Sequence, residues 1–352
     1  VYSVIRGALW GNKQFLPYCV IDLVEELTMM TAGVILVVGM TDVFDGAKRI
    51  AFAIVLSYLV SFTLSTAYYF LKGGRLKNPR RQLKPLLSSA LPITGMRTSN
   101  SLINSAISLL LPARLIAADF TSSEAMSEIG VAMGMSMPIL SIPATLIGSL
   151  ALVMVPELAE NFFRGQHTKL RDNIEKALKI SALIACLLIP LLFVLGKNIG
   201  ILLFSNEHGG EIIRNSCFML LPMSIGMITT SILNSLGYEK QTCIYFFIGA
   251  AATLLCVWLL PQFAGIYALV IGMAASHVIT MVLNLRLILK KSKEKVRFLK
   301  HTLLSVASIA PAVLFGSLLL NLLDAVMPTV AATILCGVIL VAAHALFLFA
   351  VG

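Results

Sequence analysis

The sequence predicts an all-α polytopic membrane protein with about ten transmembrane helices, and three observations predict it. Apolar stretches of spanning length recur about ten times along the 352 residues, and a bilayer core needs ~20 apolar residues per helix. Hydrophobic residues make up 58% of the chain and charged residues 12%, with mean hydropathy +0.91. One soluble core could not hide that much apolar surface. The Lys and Arg residues cluster in alternate gaps between the apolar stretches, the arrangement that sets topology. The formal net charge of +10 is therefore topology charge, and no nucleic acid is expected as a partner.

The spans follow in order. Residues 1–14 read as a loop, and the turn Gly11-Asn12-Lys13-Gln14 opens a span at 15–40. The next lies at 47–71, and the basic segment 72–85 separates it from 86–111. The stretch 127–156 carries Pro138 and Pro143, so it should tilt or kink. Residues 161–179 are polar but helix-compatible, either a solvated linker or an interfacial helix on anionic headgroups, and 177–196 follows. The spans 212–236, 242–260 and 264–285 come next, the second opened by the turn Gly237-Tyr238-Glu239-Lys240-Gln241. The basic run 286–300 precedes the last two, 301–323 and 327–351. One set of alternate gaps holds 21 Lys and Arg and the other 5, which places the first set, and both chain ends, in the cytoplasm.

The six cysteines lie in or at the ends of spans with no C-x-x-C pair, and they read as small apolar residues. The five histidines, His167, His208, His277, His301 and His344, are scattered, and no sizeable loop could hold a catalytic cluster. A membrane enzyme is therefore not the reading; no cofactor and no metal are expected.

Several stretches resemble one family. Residues 6–26 (RGALWGNKQFLPYCVIDLVEE), 91–115 (LPITGMRTSNSLINSAISLLLPARL), 155–181 (VPELAENFFRGQHTKLRDNIEKALKIS) and 232–241 (ILNSLGYEKQ) are similar, in order and spacing, to segments of the multidrug/oligosaccharidyl-lipid/polysaccharide flippase superfamily. The likeness is to its polysaccharide-transporter branch, nearest the stage V sporulation protein B group. It implies a two-lobe, fourteen-helix transporter fold of which this chain holds helices five to fourteen, with four expected before Val1. The similar turns at 11–14 and 237–241 agree with repeated halves. The implied domains are 1–85, the last two helices of the N-terminal lobe with a basic linker; 86–290, a six-helix C-terminal lobe; and 291–352, a C-terminal helix pair.

Ionisable residues inside spans are the functional candidates. Arg97 lies eleven residues into its span, ~16 Å deep at 1.5 Å per residue. Thr94, Arg97, Ser101, Asn104 and Ser108 share one face, with Asn100 beside it. This stripe either lines a cavity or joins helices by hydrogen bonds. An Arg fork fits phosphate oxygens bidentately, and the diphosphate of a polyprenyl-linked sugar is the substrate group that would suit it. Asp22, Glu25 and Glu26 lie in the first span. The family often places a basic residue four positions after the Glu matching Glu25; here that position is Met29, so Glu25 needs another partner, and Arg97 is the candidate. Glu26, Asp22 and His277 are candidates for coupling, and Arg114 at its helix end reads as a snorkelling residue.

The expected function is a flippase or exporter moving a lipid-linked oligosaccharide or peptidoglycan precursor across the bacterial cytoplasmic membrane by alternating access. The alternatives are a cation-coupled multidrug exporter of the same superfamily and, from another class, a membrane scaffold for cell-wall synthesis. The expected partners are the polyprenyl-diphosphate-linked sugar and membrane lipids, with anionic headgroups at the cytoplasmic face.

Overall fold

The computed structural model describes residues 2–38, 43–74, 83–291 and 299–351, and among them the only regular structure is helical. The basic segments 75–82 and 292–298 lie outside the described residues. The chain divides into two compact units, Val1–Leu83 and Lys84–Gly352.

The first unit holds α1 (Tyr2–Gly11), α2 (Phe15–Val37) and α3 (Val43–Leu71). The segment expected as a loop is thus mostly helix. Ile5 and Leu9, four residues apart on one face of α1, are buried, and α1 packs on α2 and α3. Ser57, Ser61 and Ser65, at the same spacing on α3, are also buried, small enough for helices to approach closely.

The second unit runs through α4 (Leu83–Ile116), α5 (Ser122–Ile129), α6 (Met137–Phe163), α7 (His167–Phe204), α8 (Glu207–Ser216), α9 (Leu220–Ser235), α10 (Glu239–Leu259), α11 (Pro261–Ala264) and α12 (Tyr267–Lys291). It ends with α13 (Leu299–Ala307), α14 (Ile309–Asp324) and α15 (Thr329–Val351). Eight described helical passages are long and apolar enough to cross a membrane, so this is a multi-pass membrane protein. Helices α2 and α4, of 23 and 34 residues, are long enough but polar: α2 carries Asp22, Glu25 and Glu26, and α4 carries Arg97.

Three prolines explain the irregular passages. A proline ring clashes with the carbonyl four residues earlier. For Pro138 that residue is Gly134, inside a π-helical stretch Gly130–Ser136 joining α5 to α6. For Pro222 it is Phe218, inside the 3₁₀ turn Cys217–Met219 joining α8 to α9. For Pro311 it is Ala307, where α13 ends. Pro92, Pro112, Pro143, Pro156 and Pro190 stay within continuous helices.

Helix α7 is the spine of the second unit; α6, α8, α9, α13, α14 and α15 all pack on it. It has 38 residues, ~57 Å at 1.5 Å each, well beyond a ~30 Å hydrocarbon core. Its first turns belong to the polar segment 161–179. They are neither a solvated linker nor a separate interfacial helix, because Leu170, Ile174, Ala177 and Leu178 are buried in the protein core with Ile228 and Leu233 of α9.

Glycines set the closest approaches. A Cβ on Gly200 would lie 2.4 Å from the Gly210 nitrogen, and one on Gly210 would lie 2.6 Å from the Gly196 carbonyl oxygen. Both obstacles are backbone and cannot swing aside. Gly200→Ala or Gly210→Ala is therefore expected to lower stability by about 1–3 kcal/mol, the usual range for overpacking. Gly148→Ala, where nothing lies within 4 Å, should not. Thermal unfolding in detergent measures the difference.

Candidate functional site

Helix α4 is held at its C-terminal third. Ile107, Leu111 and Leu115 share one face and are buried, joining a core with Val131 and Ala132 of the π-helical stretch, Ile212 of α8, Val257 of α10 and Leu269 of α12. Arg114 fastens the same end. Its Nε donates to the Trp258 carbonyl at 2.8 Å, and its guanidinium lies 4.7 Å from the indole centroid. It is tied to α10 rather than simply snorkelling.

Before that anchor, α4 faces a cavity of about 790 Å³. Arg97, Asn100 and Asn104 line it from α4. Thr230 and Ser231 of α9, Thr242 and Thr253 of α10, and Ser276, His277 and Thr280 of α12 contribute polar groups from the other walls. Met96, Met133, Met137, Met227 and Met273 supply adaptable apolar surface. No Asp or Glu is among the described residues lining it.

Hydrogen bonds between helices shape these walls. Buried Asn284 of α12 donates from Nδ2 to Thr230 Oγ1 at 2.8 Å and to Thr229 Oγ1 at 3.2 Å. Thr242 Oγ1 of α10 donates to Asn234 Oδ1 of α9 at 2.7 Å. Thr253 Oγ1 of α10 donates to the Gly272 carbonyl of α12 at 3.1 Å. The hydroxyls therefore serve both as cavity lining and as inter-helix bonds.

The stripe read from the sequence is divided in the structure. Thr94, Ser101 and Ser108 are exposed and lie outside the cavity lining; Ser108 Oγ donates back to the Asn104 carbonyl at 2.9 Å. At about 100° per residue, the lining positions centre to one side of Arg97, and these three hydroxyls fall on the other side. The reading of α4 alone missed Ser276 and Thr280, although they lie four residues apart on α12 and Asn284 continues the series. The same periodicity argument, applied to α12, would have found them.

Glu25 belongs to the first unit, where its partner is Arg6 of α1. The Arg6 guanidinium pairs with Asp22 and lies 3.6 Å from Glu25. It donates to the Tyr18 hydroxyl at 3.2 Å and sits 4.8 Å from that ring centroid. Arg6 thus supplies the positive charge that Met29 cannot. Glu26 is exposed. Among the described residues, no group of three or more His, Cys, Asp or Glu side chains gathers to hold a metal ion.

The model of the lipid II flippase MurJ family matches residues 1–341. The chain belongs to that family. Its curated relatives include sporulation protein YkvU of Bacillus subtilis (strain 168), 32% identical over 101 residues, 29% of this chain and 22% of that protein. Stage V sporulation protein B of the same organism is 21% identical over 227 residues, 61% of this chain and 43% of that protein. The chain thus spans less than half the length of either relative. Among solved structures, a mutant of the Vibrio cholerae MATE transporter VcmN superposes with TM-score 0.67 at 16% identity, covering 82% of this chain and 66% of that one. The bent form of VcmN gives 0.64 at 16% identity, covering 86% and 66%. At these identities the likeness is one of fold: an all-α transporter fold of the multidrug/oligosaccharidyl-lipid/polysaccharide flippase superfamily, into which the MurJ family match also places the chain.

The Arg6 cluster generates a prediction. Arg6→Gln leaves Asp22 and Glu25 without their counter-charge and should lower thermal stability in detergent by about 1–3 kcal/mol. Adding Asp22→Asn should recover part of that loss. An Arg6→Gln protein that melts with the wild type would remove the cluster from the stability account.

Proposed function

We propose that this chain forms the substrate-handling part of a flippase that moves a polyprenyl-diphosphate-linked oligosaccharide or peptidoglycan precursor across the bacterial cytoplasmic membrane by alternating access. The observation that carries the reading is the cavity: the Arg97 guanidinium, a wall of hydroxyls and amides, and no carboxylate among its described lining residues. A guanidinium grips phosphate oxygens in two parallel hydrogen bonds, and hydroxyls and amides suit sugar hydroxyls. The MurJ family match supports the same substrate class, and the names of the two Bacillus relatives favour a place in sporulation.

A cation-coupled multidrug exporter is the second reading; the MATE neighbours favour it by fold alone. An organic cation would be met by Arg97 and find no acid in this lining. A scaffold for cell-wall synthesis leaves the cavity without a task. In the proposed flippase, 86–290 is one lobe, 1–85 closes the other and 291–352 is an added helix pair. The stripe residues Thr94, Ser101 and Ser108 flank the substrate path. Glu25 keeps Arg6 as its partner, while Asp22, Glu26 and His277 take part in coupling.

Reconstituted full-length protein tests the function. Arg97→Lys keeps the charge but loses the fork geometry and should slow flipping of a polyprenyl-diphosphate sugar. Arg97→Ala should abolish flipping while the protein remains folded and inserted. Wild-type flipping by Arg97→Ala would sink the assignment and return Arg97 to helix packing.

The 21:5 basic split also supports cytoplasmic ends and basic linkers lying against anionic headgroups. A single cysteine at position 292 on a cysteine-free background should resist labelling by a membrane-impermeant reagent from outside. Labelling there would invert the topology.

A further inference from the structure

A second pocket lies at the basic end of the second unit, between the start of α7, the ends of α9 and α12, and the turn before α10. Its volume is about 60 Å³, room for one compact group and far too small for a sugar headgroup. Two cationic side chains face it, Arg171 from α7 and Lys291 from α12, together with the His167 imidazole of α7 and the Tyr238 phenol. No Asp or Glu is among its described lining residues. Its floor is apolar, with Leu170 and Leu236 belonging to the protein core.

The residues around Arg171 and Lys291 hold them in position. Asp172 lies 2.7 Å and Glu175 4.0 Å from the Arg171 guanidinium, and neither acid lines the pocket. The Lys291 ammonium lies 5.7 Å from the Tyr238 ring centroid. Depth identifies the environment. By the apolar stretches read from the sequence, Arg171 precedes 177–196 by six residues and Lys291 follows 264–285 by six. At 1.5 Å per residue both stand ~9 Å beyond the hydrocarbon. A ~30 Å core in a bilayer of ~40–45 Å leaves a headgroup layer of ~5–7.5 Å on each side, so both backbones stand just outside it and the long Arg and Lys side chains can reach back into it. Two helices that cross independently thus present their cations at the same level, around one small pocket with apolar walls.

We infer that this pocket binds the phosphodiester of an anionic phospholipid. Arg171, His167 and Lys291 surround the phosphate, Tyr238 donates to it, and the glycerol lies against the apolar wall at Leu236. The inference is separate from the flippase reading, since none of these residues lines the α4 cavity.

The test is lipid binding to the full chain in detergent, read by native mass spectrometry with phosphatidylglycerol, phosphatidylcholine and inorganic phosphate as separate probes. The wild type should retain phosphatidylglycerol in preference to phosphatidylcholine, and inorganic phosphate should not displace it. Lys291→Gln should weaken phosphatidylglycerol binding about fivefold, and Lys291→Gln with Arg171→Gln about 25-fold, at the weight of one basic residue near an anionic surface. Lys290→Gln, next to the pocket on α12 but outside it, should weaken binding clearly less than Lys291→Gln. Lys291→Arg, which keeps the charge without altering the fold, should also keep it. Equal retention of the two lipids, displacement by inorganic phosphate, or a Lys291→Gln loss no greater than that of Lys290→Gln overturns the proposal.

Discussion

The second unit depends on the backbone contact between Gly200 of α7 and Gly210 of α8. Helices in lipid have no hydrophobic drive toward each other, so association rests on van der Waals packing and hydrogen bonds, and small residues permit both. Glycine at both positions lets α8 lie against the spine and sends Ile212, Ile213 and Cys217 into the core. The Gly209 carbonyl then accepts from Ser136 Oγ at 2.8 Å. Ser136 ends the π-helical stretch, and Met133 within it and Met137 just beyond it line the cavity. A contact between α7 and α8, neither of which lines the cavity, thereby bears on the position of a cavity wall.

The same device recurs wherever a wall must be firm. Gly249 of α10 meets Ser276 of α12, and Gly272 of α12 meets Thr253 of α10, so these two helices carry their polar groups in fixed register. Gly316 of α14 and Gly337 of α15 lie against Val194 and Leu195 of α7, which attaches the C-terminal pair to the spine. Helix α4 is built differently. Among its described residues the buried ones are Ile107, Leu111 and Leu115, and Arg97 lies ten residues before the first of them. The unit therefore combines tightly packed walls with one polar helix gripped at a single end.

Much of this was legible in the sequence. Apolar length located the passages, because a bilayer imposes one length scale on every helix that crosses it. The prolines of the irregular passages were visible too, but not whether each would bend its helix. Pro138, Pro222 and Pro311 break regular helix four residues upstream, whereas Pro143 and Pro190 do not. On α4 the period of the polar residues was visible while the direction of the face was not. Thr94, Ser101 and Ser108 share Arg97's stripe, yet neighbouring helices enclose the side carrying Asn100 and Asn104. Arg6 was overlooked for a related reason. Residues 1–14 read as a loop, although Ile5 and Leu9, four residues apart, lie on the buried face of α1. A partner twelve or more residues away leaves no local signal at Glu25.

The cavity's charge pattern has a mechanical consequence under the proposed function. A guanidinium in a wide, open cavity keeps its water, and moving an unpaired ion into a dry protein interior is strongly unfavourable. Closing the walls on an empty cavity would strip water from Arg97 with no carboxylate among the described lining residues to replace it. Closing them on a bound diphosphate exchanges that water for bidentate hydrogen bonds to an anion. The anion therefore binds the closed form better than the open one, and only such a difference in affinity lets a ligand shift a conformational equilibrium. Adaptable methionines and short hydroxyl side chains suit a site that must close on headgroups of varied shape. The positive charge of Arg97 and the lack of an acid among the described lining residues are then one feature: together they make closure conditional on cargo.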